Sequence, residues 1–118
     1  MTLRELQEQV RHFAQERDWE QFHDPKNLSM ALAGEAGELL EIFQWLTPAQ
    51  STAVMDNATQ AEAVRHELAD VLAYLLRLAD VLQVDLAAAL RTKMDLNARR
   101  YPVDRARGRS NKYDAYEN

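Results

Sequence analysis

The sequence contains no cysteine among its 118 residues. The chain can therefore form no disulfide, offer no thiolate to a metal and use no cysteine nucleophile, which is typical of a protein of the reducing cytoplasm. It also lacks any run of about 18 apolar residues, the length that a membrane-spanning helix requires. Its first residues have no apolar core of the kind found in a signal peptide. We therefore expect a cytoplasmic protein without a membrane partner.

Positive charge is also scarce, with 14 basic residues against 19 acidic ones and a net charge of −5. A nucleic-acid-binding face would need basic residues spread over one surface, so no nucleic-acid partner is expected. The exception is the segment from Arg99 to Lys112, which holds six basic residues and one acidic residue, Asp104. This local excess suits a small polyanion better than a duplex.

The pattern of apolar residues predicts an all-α protein. Four segments repeat apolar residues at helical spacing, and none shows the alternation of a strand. The residues predicted to cap these helices are Thr2, Asp24, Thr59 and Asp85. The second helix is predicted to reach about Leu46, the third about Val84, and the fourth ends at Pro102. The broad apolar surface of the third helix predicts a central position.

The expected organisation is one helical domain over residues 1–102, followed by an irregular basic tail over residues 103–118. Residues 47–59 have the composition of a loop or a short irregular helix. A thin helical layer of this size often completes its core by oligomerising, so we expect self-association.

Two pairs of acids occur on neighbouring predicted helices. Glu35 and Glu38 are three residues apart, as are Glu67 and Asp70, so each pair projects from one helix face. Carboxylate oxygens suit Mg²⁺ or Mn²⁺, which bind a few protein oxygens together with substrate phosphates. The alternative is that these acids are ordinary solvated charges, which are common on helices.

Two observations favour a metal site. Gly34 and Gly37 flank Glu35 in mid-helix, where each costs about 1 kcal/mol relative to alanine. A close approach of another helix or a ligand would explain them, although the helix could simply tolerate them. The second acidic pair lies on the most apolar helix, where unpaired acids are costly.

The histidines do not extend this site. A di-iron bundle would use Glu-x-x-His motifs, whereas His66 directly precedes Glu67 and faces elsewhere. Iron is therefore disfavoured. His12 and His23 are assigned no role.

The segments Gly34–Leu39 and Glu67–Val71 carry these acids, and both resemble the MazG-like all-α nucleoside triphosphate pyrophosphatases. Further segments are similar to the dCTP pyrophosphatase branch of that superfamily, and the similarity spans nearly the whole chain. These segments are Glu16–His23, Phe43–Trp45, Lys93–Asp95, Arg99–Pro102, Ala106–Gly108 and Lys112–Tyr113.

The resemblance implies a four-helix, homotetrameric enzyme, a dimer of dimers, that uses Mg²⁺ to split a deoxynucleoside triphosphate into the monophosphate and pyrophosphate. Such an enzyme cleanses the nucleotide pool. Its implied metal ligands are Glu35, Glu38, Glu67 and Asp70. The residues implied around the substrate are Trp19, Trp45, Tyr74, Lys93, Asn97, Arg100 and Tyr101.

Physical chemistry agrees with part of this assignment. Aromatic side chains stack on bases for about 1–3 kcal/mol each, and Tyr74 follows Asp70 by four residues, which places both on one helix face. Without the resemblance, core packing would be the more common explanation for Trp19 and Trp45. One position departs from the dCTP branch, which has a histidine where this chain has Val10. Relaxed base discrimination is therefore expected.

The expected reaction is attack of a water on the α-phosphorus of a triphosphate neutralised by Mg²⁺. Glu38 is our first choice for the carboxylate that accepts the proton of the water. One alternative is a phosphoribosyl-ATP pyrophosphohydrolase, which shares the acids but has no need of two tryptophans. The other is a helical module that binds Mg²⁺ or a nucleotide without catalysis.

Overall fold

A computed structural model describes residues 1–115. It contains six α-helices, which are α1 (Leu3–Glu16), α2 (Pro25–Phe43), α3 (Pro48–Thr52), α4 (Ala58–Leu82), α5 (Leu86–Arg100) and α6 (Val103–Ala106). Short 3₁₀ turns occur at Glu20–Phe22, Val54–Asp56 and Tyr113–Ala115. No strand occurs within the described residues, which confirms the all-α prediction. Residues 116–118 of the predicted tail lie outside them.

Three of the predicted helix caps are confirmed. Thr2 Oγ1 accepts the backbone N–H of Glu5 at 3.1 Å. Asp24 Oδ1 accepts the N–H of Asn27 at 2.8 Å, with Pro25 in the first turn of α2. Asp85 Oδ1 accepts the N–H of Ala88 at 3.0 Å and starts α5. Each cap satisfies an N–H that has no partner inside its helix.

The predicted cap at Thr59 is wrong. Asn57 is the cap of α4, and its Oδ1 accepts the N–H of Gln60 at 2.9 Å. Asparagine caps somewhat better than threonine, and the cap at Asn57 places Thr59 in the first helical turn. Within the segment predicted to be irregular after Pro102, residues 103–106 form the single turn of α6.

The first compact unit spans Met1–Val84, and α4 packs in it against both α1 and α2. This arrangement agrees with the central position predicted for α4. Leu28 of α2 and Leu76 of α4 are fully buried, and small or β-branched residues fill the remaining core. These are Ala14, Val54, Ala61, Val64 and Ala79.

The second compact unit begins at Asp85 and contains α5 and α6. Near the end of α5, the rings of Tyr101 and Tyr113 meet edge to face at 5.9 Å. The Arg100 guanidinium lies 4.8 Å from the centre of the Tyr113 ring. Within residues 1–115, no helix combines the length and the apolarity needed to cross a membrane.

Candidate metal centre and nucleoside cavity

Three carboxylates meet where α2 packs against α4. Glu35 and Glu38 extend from α2 and Glu67 extends from α4, and one oxygen of each lies within 4.8 Å of the others. Glu35 and Glu67 are half-buried, whereas Glu38 is exposed. We call these three residues the carboxylate cluster. The structure therefore brings together three of the four predicted metal ligands.

The buried part of the carboxylate cluster has no compensating donor. The Oε2 atoms of Glu35 and Glu67 are shielded from solvent and accept no hydrogen bond from residues 1–115. An unpaired buried oxygen costs about 1–3 kcal/mol, and more when it is charged. A proton or a cation must therefore balance these groups.

Burial, followed by the neighbouring carboxyls of Glu67 and Glu38, raises the pKa of Glu35 to about 7. For Glu67 the neighbouring Glu35 carboxyl lowers the pKa, but burial and the carboxyls of Glu38 and Asp70 outweigh it, so the net pKa is raised. Crowded acids that resist ionisation without a cation are a common property of functional sites. Since carboxylate oxygens are hard ligands, the cluster fits a divalent cation such as Mg²⁺ or Mn²⁺.

Asp70 lies beside the carboxylate cluster rather than within it. Its negative charge contributes to the raised pKa values of Glu35 and Glu67. Its exposed side chain also lines a cavity on the α1 side of α4. Asp70 therefore lies between the cluster and this cavity.

The cavity, which we call the aromatic cavity, has a volume of about 210 Å³. This is less than the 300–1,000 Å³ typical of sites for drug-sized ligands, so it can hold one part of a nucleotide, such as the base. Its lining is mostly apolar or aromatic and consists of Val10, Phe13, Ala14, Trp19, His23, Asp70, Ala73, Tyr74 and Arg77.

The turn after α1 positions Trp19. Asp18 adopts φ = 54°, a left-handed conformation that aspartate tolerates better than most residues. The turn lets the N–H of Trp19 donate to the carbonyl of Ala14 at 3.0 Å. The Trp19 ring then packs edge to face on Phe13, with 5.8 Å between ring centres. Trp19 and Tyr74, two of the three aromatic residues expected around the nucleoside, thus line one cavity.

The other predicted substrate residues belong to other elements of the structure. Trp45 follows α2, is 86% exposed and does not line the aromatic cavity. Lys93, Asn97 and Arg100 lie on α5 in the second unit, and Tyr101 is its C-terminal cap.

A chain of charged and polar residues that the sequence did not predict adjoins the aromatic cavity. Arg11 donates to both oxygens of Asp80, at 2.8 and 2.5 Å. Asp80 also accepts from Nη1 of Arg77 at 2.7 Å. Nε of Arg77 donates to Nδ1 of His23 at 3.1 Å. We call these four residues the charge ladder.

A signal for the charge ladder was present in the sequence. Arg77 interrupts the apolar run of α4 and is followed three residues later by Asp80. A buried arginine requires an acidic or polar partner, and Arg77 is only 6% exposed.

Two other expectations are resolved by the structure. A Cβ added to Gly34 or Gly37 would meet nothing within 4 Å, so no close approach from residues 1–115 explains these glycines. Nε2 of His66 lies 3.8 Å from Oε1 of Glu62, and Nε2 of His12 lies 3.3 Å from Oε1 of Glu16. Both pairs are on exposed helix surfaces, away from the carboxylate cluster.

The fold and the site define the class of protein. It is an all-α protein with a carboxylate cluster suited to a divalent cation, beside an aromatic cavity. Sequence comparison then identifies the family. The chain belongs to the MazG-like family, whose model matches residues 31–115.

Relatives of known name agree with this assignment. The chain is 48% identical over 112 residues to dCTP pyrophosphatase 1 of Homo sapiens and 47% identical to that of Rattus norvegicus. These alignments cover 95% of the chain but 66% of each relative, so the chain spans just under two-thirds of their length. The crystal structure of a pyrophosphatase from Archaeoglobus fulgidus DSM 4304 superposes with a TM-score of 0.78 at 40% identity, covering 84% of this chain and 91% of that one.

Proposed function

We propose that the chain is a Mg²⁺-dependent nucleoside triphosphate pyrophosphohydrolase. It splits a deoxynucleoside triphosphate, with dCTP or a modified dCTP as the first candidate, into the monophosphate and pyrophosphate. The observation that carries this proposal is the carboxylate cluster with its two buried, unpartnered oxygens. The names of the relatives support the reaction class and the choice of dCTP.

The residues that would hold the cation are Glu35, Glu38 and Glu67, together with Asp70, which lies beside them. Mg²⁺, or Mn²⁺ in its place, supplies neutralisation of the triphosphate and activation of a water when it is bound. One oxygen of Glu35 and one of Glu67 are shielded from water, so two of the proposed ligands present partly desolvated charge. Such preorganised charge costs no reorganisation during the reaction.

Glu38 is the proposed proton acceptor. It is the exposed member of the carboxylate cluster, so its carboxylate can reach a water on the substrate side. General-base catalysis by a positioned carboxylate contributes about 10²–10⁴-fold. A carboxylate in this position takes the proton of the water that attacks the α-phosphorus, and pyrophosphate leaves.

The aromatic cavity is proposed to hold the base between Trp19 and Tyr74. Val10 lines the same cavity with an apolar side chain. Since it offers no hydrogen bond there, relaxed discrimination among bases is proposed, as expected from the sequence. Lys93, Asn97, Arg100 and Tyr101 are proposed contacts for the phosphates or the base edge, and Trp45, which is 86% exposed, is proposed to contact the nucleoside.

We further propose a homotetramer built as a dimer of dimers. Leu68, Leu72 and Leu75 of α4 are 52%, 37% and 37% exposed. On α5, Leu90 and Met94 are 61% and 59% exposed. Apolar side chains that remain accessible on two long helices support burial against further copies of the chain. The cytoplasm is the proposed compartment.

Product analysis tests the proposed activity. The purified chain is incubated with each common deoxynucleoside and ribonucleoside triphosphate and Mg²⁺, and the products are separated by ion-exchange chromatography. Monophosphate with pyrophosphate is expected, with dCTP among the best substrates. Diphosphate with phosphate, or no turnover with Mg²⁺ or Mn²⁺, contradicts the proposal.

A further inference from the structure

Charge is distributed unevenly between the two compact units. Residues 1–84 include 14 acidic and six basic residues, whereas residues 85–118 include five acidic and eight basic ones. Six of those eight basic residues lie between Arg99 and Lys112, where the only acid is Asp104. The proposed function assigns a role to Arg100 but to none of the basic residues that follow it.

The segment after α5 turns back on itself. The N–H groups of Arg105 and Ala106 donate to the carbonyl of Pro102 at 3.0 and 2.8 Å. Gly108 then adopts φ = 76°, a left-handed conformation that glycine tolerates and most residues do not. The next N–H, that of Arg109, donates to the carbonyl of Ala106 at 2.9 Å. These turns give the segment a defined backbone path.

Aromatic contacts close this segment at its far end. The Tyr113 ring meets the ring of Tyr101, the C-terminal cap of α5, edge to face at 5.9 Å. The Arg100 guanidinium lies 4.8 Å from the centre of the same Tyr113 ring. Residues 102–113 therefore form a loop whose two ends meet at the end of α5. We call them the basic loop.

Three cations of the basic loop lack a partner of opposite charge within the described residues. Arg105, Arg107 and Lys112 are exposed, and none of them forms an ion pair with any residue of 1–115. Arg109 differs, because its Nε donates to Oδ1 of Asn111 at 3.3 Å. Like charges on one short loop repel each other and raise the local positive potential. An anion with several negative charges would relieve this repulsion.

The number and type of these cations favour a condensed phosphate chain. A guanidinium binds phosphate oxygens through two parallel hydrogen bonds, and a lysine ammonium binds them as a point charge. Several cations on one loop can contact successive phosphates of such a chain, whereas orthophosphate offers them only one. An extended nucleic acid fits less well, since the whole chain has a net charge of −5.

We propose that the basic loop is a binding site for a condensed phosphate chain, either the triphosphate of the substrate or the pyrophosphate released from it. Arg105, Arg107 and Lys112 supply the charge, and the contact between Tyr101 and Tyr113 holds the loop closed. The inference rests on the proposed function for the choice of ligand, because that reaction consumes one such chain and releases another.

Calorimetric titration with inorganic pyrophosphate in metal-free buffer tests this site without a cation and without turnover. Wild type should bind pyrophosphate more tightly than orthophosphate. Arg107→Gln and Lys112→Gln should each bind pyrophosphate about tenfold more weakly, since each loses a charge-assisted contact. Arg91→Gln is the matched control, because Arg91 is an exposed arginine of α5 outside the basic loop. Its affinity should equal that of the wild type.

Several results of this titration would overturn the inference. Wild type could fail to bind pyrophosphate, or Arg91→Gln could lose as much affinity as the loop variants. An unchanged affinity in Arg107→Gln or in Lys112→Gln would contradict the assignment of that residue to the site. Tighter binding of an oligodeoxynucleotide than of pyrophosphate would make the basic loop a nucleic-acid site instead.

Tyr113→Ala tests whether the closed shape of the basic loop matters. This variant keeps every charge but removes the ring that meets Tyr101. Its affinity for pyrophosphate should fall about threefold or more, because the cations are no longer held in place before the anion binds. Tyr113→Phe retains the ring and should bind like the wild type. Wild-type affinity in Tyr113→Ala would show that charge alone attracts the anion, which contradicts a built site.

Steady-state kinetics distinguish the two sources of the phosphate chain. If the basic loop binds the substrate, Arg107→Gln should raise KM for the triphosphate about tenfold and leave kcat unchanged. If it binds the product, KM should be unchanged and inhibition by added pyrophosphate should weaken about tenfold. In an active enzyme, a change in neither quantity would contradict the proposal. If pyrophosphate binds the loop but triphosphates yield no monophosphate and pyrophosphate, the hydrolase proposal fails and the phosphate site stands.

Discussion

Helix α4 contributes residues to two groups of charged side chains. The groups differ in whether their buried charges have partners of opposite sign. In the carboxylate cluster, like charges converge and two buried oxygens have no hydrogen-bond donor among residues 1–115. In the charge ladder, the buried Arg77 and the half-buried Asp80 form ion pairs at short distance. The comparison teaches that burial of charge does not identify a functional site. A buried charge indicates a functional site when it has no compensating partner, because a ligand can then take the place of that partner.

The pKa values show the same contrast. Burial raises the pKa of Glu35 to about 7, whereas the hydrogen bonds from Arg11 hold the pKa of Asp80 below its usual value. Without a cation, Glu35 therefore keeps its proton up to about pH 7. Asp80 favours the charged form because its cations are supplied by the chain itself.

The largest expected effect comes from breaking the carboxylate cluster. Glu38→Gln should reduce kcat by about 10²–10⁴-fold, because it removes the proposed proton acceptor and one proposed ligand. The free energy of unfolding should not decrease, since Glu38 is exposed and its negative charge opposes ionisation of Glu35 and Glu67. Steady-state kinetics with dCTP and Mg²⁺, together with urea unfolding, measure both quantities.

Glu62→Gln is the matched control for Glu38→Gln. Glu62 is an exposed glutamate of α4 outside the carboxylate cluster. Wild-type kinetics are expected for it. Full activity in Glu38→Gln, or an equal loss in the two variants, would mean that the acids are misassigned.

The charge ladder should show the reverse behaviour, with a loss of stability. Asp80→Ala leaves the Arg77 guanidinium, whose side chain is 7% exposed, without its carboxylate. Removing one partner of a buried pair costs about 3–5 kcal/mol, and we expect the lower end because Arg11 is 43% exposed. Urea denaturation followed by circular dichroism measures the change. A loss below about 1 kcal/mol would show that Arg77 is solvated.

A smaller effect concerns pH. The folded-state pKa of Glu35 is raised from 4.5 to about 7. Its contribution to stability is therefore fully present below pH 4.5 and lost as the pH rises to about 7. In EDTA, the stability of the wild type relative to Glu35→Gln should fall across this window. Urea midpoints at several pH values test this, and a difference that does not change with pH contradicts it.

The smallest effect is expected for a glutamate–histidine pair on the surface. Glu62 and His66 are each about 70% exposed and lie 3.8 Å apart. Exposed pairs contribute about 0–1 kcal/mol. His66→Ala should therefore change the free energy of unfolding by less than about 0.5 kcal/mol. If His66→Ala lowered the free energy of unfolding as much as Asp80→Ala does, exposed and buried pairs would contribute equally to stability, which would contradict the account.

The fold was predictable where capping residues or the pattern of apolar residues identify a helix clearly. Asp24 with Pro25, and Asp85, mark helix starts through their own side chains, and the apolar width of α4 predicted its central packing. The Thr59 cap failed because Asn57 offers a competing cap two residues earlier, and nearby capping residues cannot be ranked from spacing alone.

The site was predictable only in part. Residues three apart on one helix predict a shared face, which identified Glu35 with Glu38. The position of Trp19 depends on the left-handed turn at Asp18, and the contact of His23 with Arg77 joins residues 54 positions apart. Such contacts depend on how helices pack, which helical periodicity does not specify. His23 therefore had no signal of its own in the sequence.

Metal binding to the carboxylate cluster tests the central claim most directly. Mn²⁺ is titrated calorimetrically into EDTA-stripped wild type, Glu35→Gln, Glu67→Gln and the control Glu62→Gln. Wild type and Glu62→Gln should bind alike, and the two cluster variants should bind at least about tenfold more weakly, since each loses a charged oxygen ligand. Equal affinity in all four proteins, or no binding to the wild type, would contradict a metal site at these three carboxylates.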